Sequence, residues 1–218
     1  MKLPKPCVFC CKLCWHGFAI CKICRSELLK RKPLRKLRFG SHELAALMLW
    51  NTKNENIVRH LIYQLKGGAR GNLGEELGRL LADHWVQFYL RQQIPKNLVV
   101  VPAPPRRNGP FNDHAYFLAK GVSDRLQLPM CQLLERSCEL GNQRSLPKKE
   151  RKKRKLVALT SISPTGVLFV DDVVTSGSTA IAGFEALKRP RYFKVLALAY
   201  RPLLLLGGSS VIKPHAPS

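Results

Sequence analysis

Val167-Leu168-Phe169-Val170 runs straight into Asp171-Asp172 and then, through Val173 and Val174, into Thr175-Ser176-Gly177-Ser178-Thr179. Four consecutive apolar residues suit a strand buried on both faces, the environment of a parallel sheet. The small residues that follow offer backbone N–H groups with little side-chain bulk, so a phosphate can approach them closely. Ala180, Phe184 and Leu187 then recur at helical spacing. That places those N–H groups at the start of a helix, where the dipole favours an anion. Asp171 and Asp172, at the strand end, are placed to accept hydrogen bonds from sugar hydroxyls. Together these parts are expected to form a site for a ribose 5-phosphate. The plainer alternative is a buried strand leading through an ordinary turn into a helix; the acid pair in register with the loop is the rarer feature.

The rest of the chain alternates as an α/β domain should, and 218 residues suffice for one such domain plus a small appendage. Glu43 to Trp50 is apolar enough for strand or helix, and the turn that follows over Asn51 to Asn56 favours the strand. Ile57, Val58, Leu61, Ile62 and Leu65 share one helical face, which ends at Gly67-Gly68. Leu73, Leu77, Leu80, Leu81 and Trp85 make a second amphipathic helix, and Leu98 to Val101 a short buried strand. A third helix is expected from about Asn112 to Leu126, with Asn112 as a candidate N-cap. A late strand covers Val195 to Tyr200. The expected division is a cysteine module with a basic linker over 1–38, the α/β domain over 39–201, and a loosely ordered tail over 202–218.

Cys7-x2-Cys10 and Cys21-x2-Cys24 form two knuckles ten residues apart, a spacing that suits four thiolates about a zinc ion. So short a segment cannot build its own core, so a structural Zn²⁺ would supply its folding free energy. Cys11 and Cys14 form a further pair, so Cys11, Cys14, Cys21 and Cys24 are an alternative set and His16 a competitor. The outer pairing is preferred because it leaves room for a hairpin around Trp15 to Ile20. Cys131 and Cys138 read as ordinary semi-buried thiols. No apolar run reaches the roughly eighteen residues of a membrane span. The N-terminus lacks the apolar stretch of a signal peptide, so the expected setting is cytoplasmic, with reduced thiols.

Thirty-seven Lys and Arg face fourteen Asp and Glu, a formal net charge of +23. Such a surface attracts polyanions. The charge is clustered over Lys22 to Arg38 and again over Arg144 to Lys155. Lys152, Lys153 and Arg154 are therefore candidate nucleic-acid contacts, although no sequence-reading element is visible. Arg106 and Arg107, just past the strand at Leu98 to Val101, could pair with pyrophosphate oxygens. Solvated arginines in a basic protein are the ordinary alternative. His42, His60, His84 and His114 are scattered, without a Ser-His-Asp or Cys-His constellation.

The Val167 to Thr179 segment resembles the phosphoribosyl-pyrophosphate signature of type I phosphoribosyltransferases. The resemblance implies that Asp171 and Asp172 hold the ribose 2′- and 3′-hydroxyls. It implies also that Val174, Thr175, Ser176, Gly177, Ser178 and Thr179 wrap the 5′-phosphate. Val101-Pro102-Ala103-Pro104-Pro105-Arg106-Arg107, then Phe111-Asn112, is similar to a stretch of the ComF/GntX family. So are Gln143-Arg144-Ser145-Leu146 with Glu150-Arg151, and Leu65-Lys66. That family also carries an N-terminal CxxC…CxxC zinc module. Pro110 and Asp113 stand where it has Gly and Gln. The implied fold is a type I phosphoribosyltransferase-like parallel sheet flanked by helices, with a small zinc-binding module before it. The implied ligand is phosphoribosyl pyrophosphate with Mg²⁺. The family links such a chain to DNA uptake, either as a phosphoribosyltransferase or as a factor that holds single-stranded DNA or a DNA-processing protein.

Overall fold

A computed structural model describes residues 4–14, 19–30, 34–39, 42–51, 61–65, 71–89, 95, 97–105, 113–136, 156–160 and 164–201. The turn at 52–56, Gly67-Gly68, His16, Arg106, Arg107, Asn112, Cys138, the basic stretch 144–155 and the tail lie outside these residues.

Two short strands, β1 (Lys5–Pro6) and β2 (Leu13–Cys14), pair antiparallel ahead of helix α1 (Lys22–Leu29). Strand β3 (Leu34–Phe39) pairs antiparallel with β4 (His42–Asn51), inside the stretch read from the sequence as basic linker. Residues 61–65 are helical, with Leu61 and Leu65 buried. There follow α2 (Gly71–Tyr89), β5 (Leu98–Pro102) and α3 (His114–Leu126). Strands β6 (Leu134–Arg136) and β7 (Leu156–Ala158) form an antiparallel pair. The chain then runs through β8 (Gly166–Val174), α4 (Ser178–Ala186) and β9 (Tyr192–Tyr200).

The main sheet has the order β3-β4-β9-β8-β5, and its four strands from β4 to β5 are parallel. Every strand and helix expected of this domain therefore forms where it falls among the described residues. Burial explains why: Val167 to Val170 are fully buried, as are Val195 to Ala199, so these runs satisfy the two-sided burial a central parallel strand requires. One face is covered by α2 and α3, whose Leu77, Leu80, Leu81 and Leu118 meet Val100, Leu168 and Leu196. The other is covered by α4 and the β6–β7 pair, where Leu134, Leu156, Ala180 and Leu187 meet Phe169, Val195 and Ala197.

Helices α2 and α3 cross with almost no space between backbones. A Cβ on Gly78 would collide with the Leu118 carbonyl oxygen, and one on Gly121 with that of Glu75, so both positions need glycine. The N-cap of α3 is Asp113, not the expected Asn112: the Asp113 carboxylate accepts from the Tyr116 amide at 3.0 Å. Both residue types cap well, and the cap falls one residue later than the sequence pattern suggests.

The sheet reverses direction once. Leaving β5, the chain passes through α3 and returns along the far edge of β5, where Met130 bridges Val100 in parallel. Leaving β8, it passes through α4 on the opposite face to β9. The connections thus depart in opposite senses from the adjacent strands β5 and β8. That leaves a crevice beyond their carboxyl ends, the position at which open α/β sheets bind ligands.

The cysteine segment is docked on α2. Glu76, buried within that helix at 4% exposure, accepts from the amides of Ala19 at 2.6 Å and Ile20 at 3.1 Å. Asp83, one helical stretch along, joins Arg25 of α1 to Arg125 of α3, each at 2.6 Å. His84 Nε2 donates to the Leu28 carbonyl at 3.1 Å, and burial holds that imidazole below its ordinary pKa. Ile20 and Leu28 join the core formed by α2. Replacing Glu76 with Ala leaves one buried and one half-buried amide without this acceptor. We expect a loss of about 1–3 kcal/mol, read as a lower urea midpoint, with the Ala19 and Ile20 amides losing hydrogen-exchange protection before the sheet does.

Candidate functional site

The crevice between β5 and β8 is built from two strand ends. Pro102 is in register with Val170, and the Ala103 amide donates to the Val170 carbonyl at 2.8 Å. Asp171 and Asp172 follow at once, toward the carboxyl end of β8, where the partner strand on that side has ended. Both are half-buried. Each is oriented along the strand by its neighbour: Asp171 Oδ1 accepts from the Asp172 amide at 2.8 Å, and Asp172 Oδ1 from the Val173 amide at 2.7 Å. Val174 ends β8 with its side chain in the core, at 3% exposure.

Thr175 to Gly177 turn the chain from β8 into α4. Gly177 has φ 71°, a left-handed conformation that costs a residue with a Cβ and that glycine adopts freely. No side chain caps α4 through this residue. Ser176 bridges the turn instead: its hydroxyl lies 3.1 Å from that of Ser178 and 3.4 Å from the Ser178 amide. Ser176 and Ser178 are exposed, and Thr179 is half-buried. An acid pair, a tight loop of small residues and a helix start whose N-cap residue, Gly177, offers no side chain therefore share one end of the sheet. Such a helix start presents amide donors and a partial positive charge to whatever enters.

The second assembly is the cysteine cluster. The Sγ atoms of Cys7, Cys10, Cys21 and Cys24 all lie within 4.8 Å of one another, and Cys10 Sγ is 3.6 Å from Cys21 Sγ. A tetrahedron with Zn–S bonds near 2.3 Å has edges of about 3.8 Å, so the donor set fits a zinc ion. Amides support the sulfurs as an outer shell: Cys21 N–H donates to Cys7 Sγ at 3.3 Å and Cys24 N–H to Cys21 Sγ at 3.4 Å. Burial alone would raise the Cys7 thiol, but amides of Cys21, Cys10 and Phe9 outweigh it and bring the pKa down to about 6. Cys14 is pushed the other way, to about 11, by burial and by the charge of Cys7 and Cys21. Burial and the surrounding thiols also raise Cys24; a dication at the centre reverses that preference. Cys11 is exposed and takes φ 60° in the knuckle turn, where its amide donates to the Cys7 carbonyl at 3.0 Å. Among the described residues, the outer pairs are the ones gathered into a cluster.

Two residues that sequence reasoning passed over are now visible. Glu76 lies among Leu73, Leu77 and Leu80 on the apolar face of α2, an acid on a core-facing stripe, which was a legible signal. Arg136 had no signal at all, being one of many basic residues. Arg106, Arg107, Lys152, Lys153 and Arg154 lie outside the described residues. Cys131 is half-buried, as expected. Among the described residues, no helix is long and apolar enough to cross a membrane.

No family model matches the chain, and no curated protein matches its sequence. Among solved structures, it is similar to one described as the structure of the allosteric regulatory enzyme of purine biosynthesis. The match covers 58% of this chain at 18% identity, with a TM-score of 0.35, and spans a quarter of that structure's chain. A superposition that loose fixes neither family nor activity.

Serine at Cys7 or Cys24 should abolish metal binding and lower the melting temperature, because the module's folding free energy is linked to the ion. Serine at Cys11 or Cys14 should leave metal content unchanged. Elemental analysis of purified protein should find about one zinc per chain in the wild type and the latter pair. Loss of zinc from Cys14→Ser would show that the cluster is composed differently.

Proposed function

We propose that this chain binds 5-phosphoribosyl pyrophosphate at the β5–β8 crevice and acts as a phosphoribosyltransferase-like protein of the ComF/GntX kind. The single observation that supports this most is the coincidence of Asp171-Asp172 with the glycine-capped start of α4 at the point where the connections leave in opposite senses. Two adjacent carboxylates suit a vicinal diol, since each can accept from one hydroxyl. The first-turn amides of α4, with Ser176, Ser178 and Thr179, suit the three oxygens of a 5′-phosphate. Arg106 and Arg107 follow the end of β5 and suit the pyrophosphate. Mg²⁺ bound with the pyrophosphate, with Asp171 and Asp172 as the nearby carboxylates of this chain, would neutralise leaving-group charge. Transfer at C1′ passes through cationic character, so the chain's own task is to orient ribose and pyrophosphate rather than to supply a strong nucleophile. Zinc at Cys7, Cys10, Cys21 and Cys24 is structural in this reading. The acceptor is left undefined.

A second reading is favoured by the net charge of +23 and by a groove lined by Lys22, Arg25, Ser26, Leu29, Lys30 and Gln87. In it, the chain serves DNA uptake in the cytoplasm, holding single-stranded DNA or a DNA-processing partner while the phosphoribosyl pocket binds its ligand.

Titration calorimetry with phosphoribosyl pyrophosphate and Mg²⁺ tests the first reading. Asp171→Asn with Asp172→Asn should weaken binding by about a hundredfold or more, as two hydrogen bonds to charged acceptors are lost. Unchanged affinity in the double variant removes the site. For the second reading, labelled single-stranded DNA should shift with the protein and lose affinity as salt rises. The shift should weaken when Lys152, Lys153 and Arg154 become Ala. No shift at low salt removes that reading.

A further inference from the structure

We propose that Arg136 is a positioning residue for the pyrophosphate side of the crevice, holding the loop that follows β5 in its ligand-ready shape. This rests on the phosphoribosyl-pyrophosphate reading above.

The segment Pro102-Ala103-Pro104-Pro105 contains three prolines, which have no amide hydrogen. Its one amide, that of Ala103, is already committed to the Val170 carbonyl at 2.8 Å. Past Ala103 the loop therefore has no donor of its own through Pro105 and can be held only through its carbonyls. Arg136 takes both of the last two. Its Nε donates to Pro104 O at 3.1 Å and to Pro105 O at 2.8 Å, and its Nη2 to Pro104 O at 2.9 Å. A planar guanidinium makes such a fork with little loss of freedom, and an ammonium cannot reproduce it. The fork also orients two peptide carbonyls toward a cation. Left loose, those negative oxygens could turn to face an incoming polyanion.

Arg136 is itself anchored. It ends β6, opposite Leu156 of β7. Leu134 and Leu156 of that pair are buried in the same core as Ala180 and Phe169. Leu134 packs so near Gly183 of α4 that a Cβ there would lie 3.3 Å from Leu134 Cδ1. The β6–β7 pair therefore sits on α4, the helix whose start is read as the 5′-phosphate site, and reaches across through Arg136 to the β5 loop. One guanidinium ties the two halves of the crevice into a fixed spacing. Positioning of that kind is where much of the barrier to group transfer can be met.

The test is calorimetry on the full zinc-loaded chain with two probes, phosphoribosyl pyrophosphate plus Mg²⁺ and ribose 5-phosphate. Arg136→Ala should weaken phosphoribosyl pyrophosphate by roughly tenfold to a hundredfold, the scale of hydrogen bonds to a charged group. Ribose 5-phosphate, which uses only the β8–α4 side, should change by less than about twofold and reports that the variant is folded. Millimolar guanidinium chloride should restore most of the loss in Arg136→Ala. Arg136→Lys should resemble Arg136→Ala, because its charge is kept and its fork is lost. Full affinity in Arg136→Lys, or equal weakening of both probes in Arg136→Ala, would overturn the assignment. A wild-type chain that binds neither probe refutes the phosphoribosyl reading itself, and the Arg136 assignment falls with it.

Discussion

The parallel pairing of β5 with β8 is the constraint on which the rest of the structure depends. Parallel neighbours cannot be joined by a tight turn, so each must leave the sheet through a crossover. Here the two crossovers depart in opposite senses, α3 on one face and α4 on the other. Among the described residues, no element joins the carboxyl ends of β5 and β8 directly. Val170 is the hinge of this arrangement: its carbonyl accepts the Ala103 amide, and the next residue is Asp171. A slip of one residue in this register would exchange the two faces of β8, moving Phe169 and Val167 away from α4 and disordering the approach to the acid pair.

The cysteine cluster stands apart from that crevice but not from the fold. Its backbone is captured by Glu76 on α2, and α1 is fastened by Arg25 to Asp83 and by Leu28 to His84. Such contacts would make metal loading and core stability interdependent: an ion at the four cysteines would order the knuckles, and the knuckles present the Ala19 and Ile20 amides to a buried carboxylate. Burial raises the pKa of Glu76 even though two amides favour its charged form. The charged form carries a cost in the folded state, so by linkage this carboxyl contributes more to stability as pH falls, over the window above 4.5 up to its raised pKa. The direction is opposite to that of an exposed, ion-paired carboxylate.

Much of the fold was legible because parallel strands and amphipathic helices write distinct patterns. Continuous runs such as Val167 to Val170 and Leu98 to Val101 can be satisfied only between two covered faces. The spacing of Leu73, Leu77, Leu80, Leu81 and Trp85 admits one helix face. The cysteine knuckles were legible for a different reason, namely that a tetrahedral ion demands paired ligands at short spacing. What escaped was long-range. The choice of Asp113 over Asn112 as cap turns on one residue of register. Glu76 stands out as an acid on an apolar helix stripe, but its partners Ala19 and Ile20 do not, and the Arg136 fork leaves no trace in local pattern.

By itself, the sequence did not mark the edge strand β3 or the β6–β7 pair; it determined the parts of the parallel sheet and its covering helices, and the thiols that can form a metal cage. These are properties of near neighbours along the chain, set by side-chain periodicity and by the donors each residue owns. The tertiary structure decided which parts meet. It selected Cys7, Cys10, Cys21 and Cys24 from six candidates, set the cysteine module on α2, reversed the sheet between β5 and β8, and brought Arg136 onto Pro104 and Pro105. Such meetings follow from packing and from satisfying buried polar groups across distances in sequence that no local pattern spans.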